Sequence, residues 1–263
     1  MRRLSDLSLG GFVALALFFL YAPVAVLILF SFNDSRLMTL PLSGFTWDWY
    51  KAVFANEAMM RALRNSLFVA SVATVISLVI GTMAAFALDR IRFPGKTMFR
   101  RIMLLPISLP GIIIGISILN MSSAVGLRLS LATVILGHTA MLLAIVVTQV
   151  FARLQRMDRS IEEAAADLGA SPWQTFTRVT LPNIRSALIG SGLLSFTVSF
   201  DDVPITFFLT GRENTLPMYI YSAMRRGPSP EFNAVSTMIF IGSLALIIFS
   251  IILLTRDKGE SNV

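Results

Sequence analysis

Apolar residues run along this chain in long blocks, at about 9–31, 65–88, 100–123, 130–152, 184–210 and 234–255, with shorter polar stretches between them. Each block is near the roughly 20 helical residues needed to cross about 30 Å of hydrocarbon. The pattern predicts an all-α polytopic membrane protein with six spanning helices, residues 1–263 forming one transmembrane domain without a separate soluble part. The longest polar interruption, at about 153–183, contains "RMDRSIEEAAADLGASPWQTFTRVTLPNIRS". Ser160 with Glu163 three residues later is a capping-box spacing, so a short helix is expected to begin at Ser160 and to stop at Gly169. Ser171, Pro172 and Gln174 repeat the device and predict a second helix that runs until Pro182. Ala164 and Ala165 give the first helix a low-relief face that a partner's groove can approach closely.

Composition agrees with the blocks: 55% of residues are hydrophobic, 14% are charged and the mean hydropathy is +0.75. The net charge of +7 does not point to nucleic acid, because the basic residues bracket the apolar blocks instead of forming one face or tail. With the N-terminus in the cytoplasm, 14 of the 22 Lys and Arg fall on cytoplasmic segments. The short loop holding Arg90, Arg92, Lys96, Arg100 and Arg101 carries most of that argument. Both termini are then cytoplasmic. The N-terminus starts like a signal peptide, but its apolar run is too long and no small-residue cleavage site closes it, so it is expected to stay as the first span. "GFTWDWYKAVFANEAMM", after that span, reads as an interfacial amphipathic segment that also has the means to touch a periplasmic partner.

Little catalytic chemistry survives inspection. There is no cysteine, and His138 is the single histidine, in the fourth span. A lone intramembrane His is expected to be satisfied by a hydroxyl or carbonyl on a facing helix, and no metal site is expected. "PGKT" at 94–97 lacks the first glycine of a phosphate-binding loop, since Arg90 stands there. The exception is "TVSFDDVPITFF", where Asp201 and Asp202 lie inside an apolar block. Pro204 cannot donate to the carbonyl of Phe200 and disfavours helix at Val203, so the fifth span should kink there, adding that carbonyl as a third acceptor. About 26 Å along the span, the acids lie toward its outer end. Each carboxylate at mid-membrane costs on the order of 3 kcal/mol, so both should face protein or water. Adjacent residues point about 100° apart. One acid is free to face a pathway and the other a neighbouring helix, and the residues alone do not say which. An intramembrane aspartyl protease needs its acids on different helices and is excluded.

Glu163, Ala164, Ala165, Gly169, Val179, Leu181 and Pro182, at their spacing, resemble the EAA loop of ABC-importer permeases, with Val179 where that family usually has Ile. The resemblance implies a type I importer fold in which the loop's first helix docks on a cytoplasmic ATPase. "LSFTVSFDDVPITFFLTGRENTLPMYIYSAMRRGPSPEFNAVSTMI" resembles the second permease of spermidine/putrescine importers, as do "YAPVAVLILFSFND" and "LGHTA". What the family implies is an ATP-driven importer subunit without a cofactor or catalytic residue of its own, ATP and Mg being held by the ATPase. Its partners would be a second permease chain, an ATPase dimer, a periplasmic solute-binding protein and membrane lipid. The coupling residues would be Glu163, Ala164, Ala165, Gly169, Leu181 and Pro182; the solute pathway would hold Asp201, Asp202, Phe200 and Pro204. Polyamine is the expected solute, with an amino-acid derivative, opine or phosphonate as alternatives. An ion-coupled secondary carrier is the remoter reading, disfavoured because such carriers usually hold an internal repeat and no loop of this kind.

Overall fold

A computed structural model describes the backbone of residues 2–225, 227 and 229–259, with side chains described for 9–245 (apart from 226 and 228) and 248. The elements in order are α1 (Arg2–Ser31), α2 (Asp48–Ala55), α3 (Glu57–Arg90), α4 (Lys96–Ser108), α5 (Gly111–Ala124), α6 (Leu131–Gln155), α7 (Ser160–Asp167), α8 (Pro172–Thr175), a π-helical turn Phe176–Thr180, α9 (Leu181–Phe200), α10 (Pro204–Leu209), α11 (Leu216–Met224) and α12 (Pro230–Gly259).

Every apolar block is helical, but not every block is one helix. Leu9–Ser31, Glu57–Arg90 and Leu131–Gln155 are each long and apolar enough to cross a membrane. The third block divides into α4 and α5, which meet at 111° and form either a broken span or a re-entrant loop. The cause is Pro110: it gives no N–H and holds Leu109 in an extended conformation, ψ 135°. The fifth block divides into α9 and α10, so the expected kink is a full break over residues 201–203.

Two compact units emerge. In residues 1–60 and 222–263, α1 and α2 both pack on α12. No residue in the apolar window of α1 is fully buried, as expected of a helix that is apolar all round and meets lipid or another subunit. Beyond it, Trp49 Nε1 donates to the Asn33 carbonyl at 2.8 Å and the Tyr50 hydroxyl meets Ser31 Oγ at 2.7 Å. The aromatic segment is thereby tied to the end of α1, with Phe45, Trp47 and Phe54 left exposed.

In residues 61–221, α6 is the central post. Val134 packs with Val69, Ile114, Ile118, Ile205 and Leu209, and Val146, Val150 and Leu154 pack with Ala85 and Ile184. Small residues set the spacing. A Cβ on Gly137 would come within 2.7 Å of the side chains of Ile205 and Leu209, so only glycine lets α10 approach α6 this closely.

Candidate functional site

Polar chemistry in the second unit gathers at two places. The first is the loop from α6 to α9. α7 begins at Ser160 as expected, but Ser160 is its first residue and not its cap: Arg159 holds the cap position without a side-chain bond, and Asp158 Oδ1 accepts from the Ser160 N–H at 3.0 Å. The capping-box expectation is therefore corrected by a competing acceptor two residues upstream. That bond, followed by one with the Ser160 side chain, holds the Asp158 carboxyl below its usual range. The C-terminal end of α7 is as expected: Gly169 has φ +81°, its N–H reaches the Ala166 carbonyl and Ala170 N–H reaches Ala165, the Schellman pattern. No atom lies within 4 Å of where a Cβ on Gly169 would sit, so backbone conformation alone requires glycine.

Ser171 and Gln174 form the reciprocal box, with Ser171 N–H donating to Gln174 Oε1 at 2.8 Å and Gln174 N–H to Ser171 Oγ at 3.3 Å. The second helix does not stop at Pro182. It passes through the π-helical turn and continues as α9, with Pro182 in the first turn. A proline ring clashes with the carbonyl four residues before it and offers no N–H; a turn with one extra residue accommodates both defects.

Glu163, Ala164, Gly169 and Pro182 are exposed, and Ala165 and Leu181 are half-buried. Three apolar residues join them at the surface: Ile161, Leu168 (89% exposed) and Trp173 (71%). Sequence reasoning missed Trp173, although an aromatic in the first turn of a helix in a polar loop was a visible signal. It also missed Glu162. This residue turns inward, with Oε2 2.9 Å from Arg90 Nη2 and Oε1 accepting from Thr180 Oγ1 at 2.6 Å.

The second place is the break between α9 and α10, where the adjacent acids part. Asp202 has 8% of its side chain exposed. Its Oδ1 accepts from the N–H groups of Ile205 and Thr206, both at 3.0 Å, and lies 3.2 Å from His138 Nε2. It caps α10 from one residue before the usual position. His138, fully buried, places Nδ1 2.7 Å from Ser199 Oγ and Nε2 3.0 Å from Thr206 Oγ1. Asp202 Oδ1 and Ser199 Oγ thus lie at hydrogen-bond distance from opposite ring nitrogens of His138. Asp201 ends α9 and is exposed on this chain. Phe200, half-buried, stacks on Phe196 at 6.0 Å, and Pro204 is exposed. The structure thus brings Asp202 to His138 and leaves Asp201 free of it.

Residues 77–256 match the family described as binding-protein-dependent transport system inner membrane component. Among curated proteins, the chain is 38% identical over 239 residues to the putrescine transport system permease protein PotI of Escherichia coli K12, covering 88% of this chain and 84% of that one. It is 36% identical over 254 residues to the spermidine/putrescine transport system permease protein PotC of the same organism, covering 96% of each. Among solved structures, a bacterial alginate ABC transporter in complex with an alginate pentasaccharide-bound periplasmic protein superposes with a TM-score of 0.71 at 19% identity, covering 94% of this chain and 92% of that one.

Proposed function

We propose that this chain, which belongs to the family of binding-protein-dependent transport system inner membrane components, moves polyamines or closely related small organic cations inward across a bacterial inner membrane. It is a permease subunit of an ABC importer and not an enzyme, ATP hydrolysis lying in a separate subunit. Its partners in this reading are a second permease chain, an ATPase dimer that holds ATP and Mg, and a periplasmic binding protein that delivers the solute. The basic segments set the loop from α6 to α9 and both termini in the cytoplasm.

In this mechanism the ATPase dimer closes on ATP, and α7, seated on it through Glu163, Ala164 and Ala165, is carried along. Ile161, Leu168 and Trp173 supply the apolar contact that a docked helix needs. Gly169 lets the chain turn back at once, and Leu181 and Pro182 pass the displacement into α9. That helix ends at the acid break, so its movement opens or closes the pathway beside Asp201. An exposed carboxylate at the end of an otherwise apolar helix attracts a cation where bulk water gives out. Asp202, Phe200 and Pro204 shape the same break, Asp202 by holding α10.

The observation that carries the polyamine assignment is the similarity to PotI and PotC along most of the chain, with Asp201 as the matching chemistry. Its test is uptake of labelled putrescine and spermidine into proteoliposomes holding the whole importer and its binding protein. The intact chain should transport at least one of them. Asp201→Asn should assemble normally and transport about five- to a hundredfold less, the range of one charge interaction in a partly dehydrated site. Normal uptake by this variant would remove Asp201 from the pathway, and uptake of neither polyamine by the intact importer would end the substrate assignment. In the same preparation, a probe that cannot cross membranes should label Arg36→Cys in intact spheroplasts and Thr97→Cys only after permeabilisation.

A further inference from the structure

We propose that Glu162, Arg90 and Asp89, with Arg159 and Thr180, form the joint that delivers movement of α7 to two membrane helices at once. The inference rests on the coupling role of α7 proposed above and adds residues that the family's loop pattern does not contain. Glu162 divides its two oxygens between elements: Oε2 faces Arg90 at the end of α3, and Oε1 accepts from Thr180 at the entrance to α9. Arg90 also lies 2.9 Å from Asp89 Oδ2, which Arg159 approaches at 3.5 Å, while Arg159 donates to the Asp89 carbonyl at 3.3 Å. Two acids and two bases balance to no net charge.

The burial of this cluster argues against a purely stabilising role. Asp89 is 3% exposed and Arg90 19%. The Arg90 nitrogens sit at ion-pair distance, yet their N–H directions do not line up on the carboxylates, so the guanidinium is buried without hydrogen-bond geometry. Such pairs contribute little net stability, because desolvation offsets the attraction, but they resist losing one partner. Those properties suit a joint that must hold two helices to a moving one.

The two outputs run along different helices. From Arg90, α3 runs unbroken for about 36 Å to Ser66, at 1.5 Å per residue. There Ser66 Oγ accepts from Leu216 N–H at 2.8 Å, and Asn65 Nδ2 donates to the Asn214 carbonyl at 3.0 Å. From Thr180, α9 runs to the acid break. One displacement of Glu162 therefore reaches residues 201–203 through α9 and residues 214–216 through α3. A helix transmits such a shift because its packed interior is stiff.

The test uses the complete importer in proteoliposomes. Glu162→Gln keeps an acceptor for Thr180 but cannot pair with Arg90; Thr180→Val cuts the other branch alone; Arg90→Lys keeps the charge. Co-purification with the ATPase and its hydrolysis without solute should stay near wild type in all three. Hydrolysis stimulated by loaded binding protein, and uptake per ATP, should fall about tenfold in Glu162→Gln, within the usual range of coupling energies. Thr180→Val should fall less, and Arg90→Lys should recover most of the function lost in Arg90→Ala. Wild-type stimulation and uptake in Glu162→Gln and Arg90→Ala would overturn the joint. Loss of assembly in both would also overturn it, by making the cluster a folding element. Glu163→Lys separates the two proposals: if it leaves coupling intact the docking role of α7 fails, whereas failure of the joint alone leaves Glu163→Lys uncoupled.

Discussion

The loop from α6 to α9 and the break from α9 to α10 both hold polar groups that an apolar protein must satisfy, and they do so by opposite means. In the loop the caps and turns are closed by sequence neighbours, Asp158 with Ser160, Ser171 with Gln174 and Gly169 with Ala166, while Arg159 and Glu162 reach back to the end of α3. At the break, Asp202 Oδ1 finds three donors on α10, the Ile205 and Thr206 N–H groups and the Thr206 hydroxyl, and lies beside Nε2 of His138, 64 residues away. Water backs up a failed bond in the loop, and nothing does so at the break. An exposed polar residue in the loop, such as Glu163, is thus free to serve a partner, while one at the break serves the fold first. Asp201 is the exception, and its exposure is what marks it.

The largest effect expected from this contrast follows Asp202→Ala. It leaves the Ile205 and Thr206 backbone N–H groups without their side-chain acceptor in an apolar setting, at about 1–3 kcal/mol for each orphaned group. The thermal midpoint and the yield of the purified importer should drop sharply, with Asp202→Asn, which keeps one acceptor oxygen, intermediate. Wild-type stability in Asp202→Ala would dissolve the distinction between the two acids.

A smaller effect, and one confined to coupling, is expected at Gly169. Valine at φ +81° is strained by about 1–3 kcal/mol, yet nothing crowds the site. The complex should assemble, and solute-stimulated hydrolysis should fall. Asn, which tolerates left-handed backbone, should restore part of it. Equal activity of Val, Asn and Gly variants would show that the loop's corner is not needed for coupling.

The smallest concerns Asp158. Its carboxyl is depressed in the folded state, so the bond to Ser160 is fully present above the unfolded value near 3.9 and fades as pH falls through the lower folded one. Between pH 6 and 8 the start of α7 should not respond to pH. Asp158→Ala should speed amide exchange at Ser160 and leave Ser171 unchanged; no change at Ser160 would return the cap to Ser160 itself.

The six apolar blocks, the Schellman stop at Gly169, the box at Ser171 and Gln174, and the interruption before Pro204 were legible in the sequence, because each depends on residues within a few positions of one another. Where local reading failed, a nearby competitor or a proline decided the matter: Asp158 displaced Ser160 as the cap, Pro110 split the third block, and a π-helical turn carried the chain past Pro182. The family resemblance was equally legible, carried by spacing within the loop and by the stretch around the two acids. Which acid meets His138 was not legible, since 100° of rotation separates neighbours and only the packing of α10 on Gly137 of α6 selects one. Nor was the pairing of Glu162 with Arg90, 72 positions apart. Hydrophobic length and capping chemistry are properties of the chain, whereas the partner of a buried charge is set by which helices come into contact, and that is decided only when the tertiary structure forms.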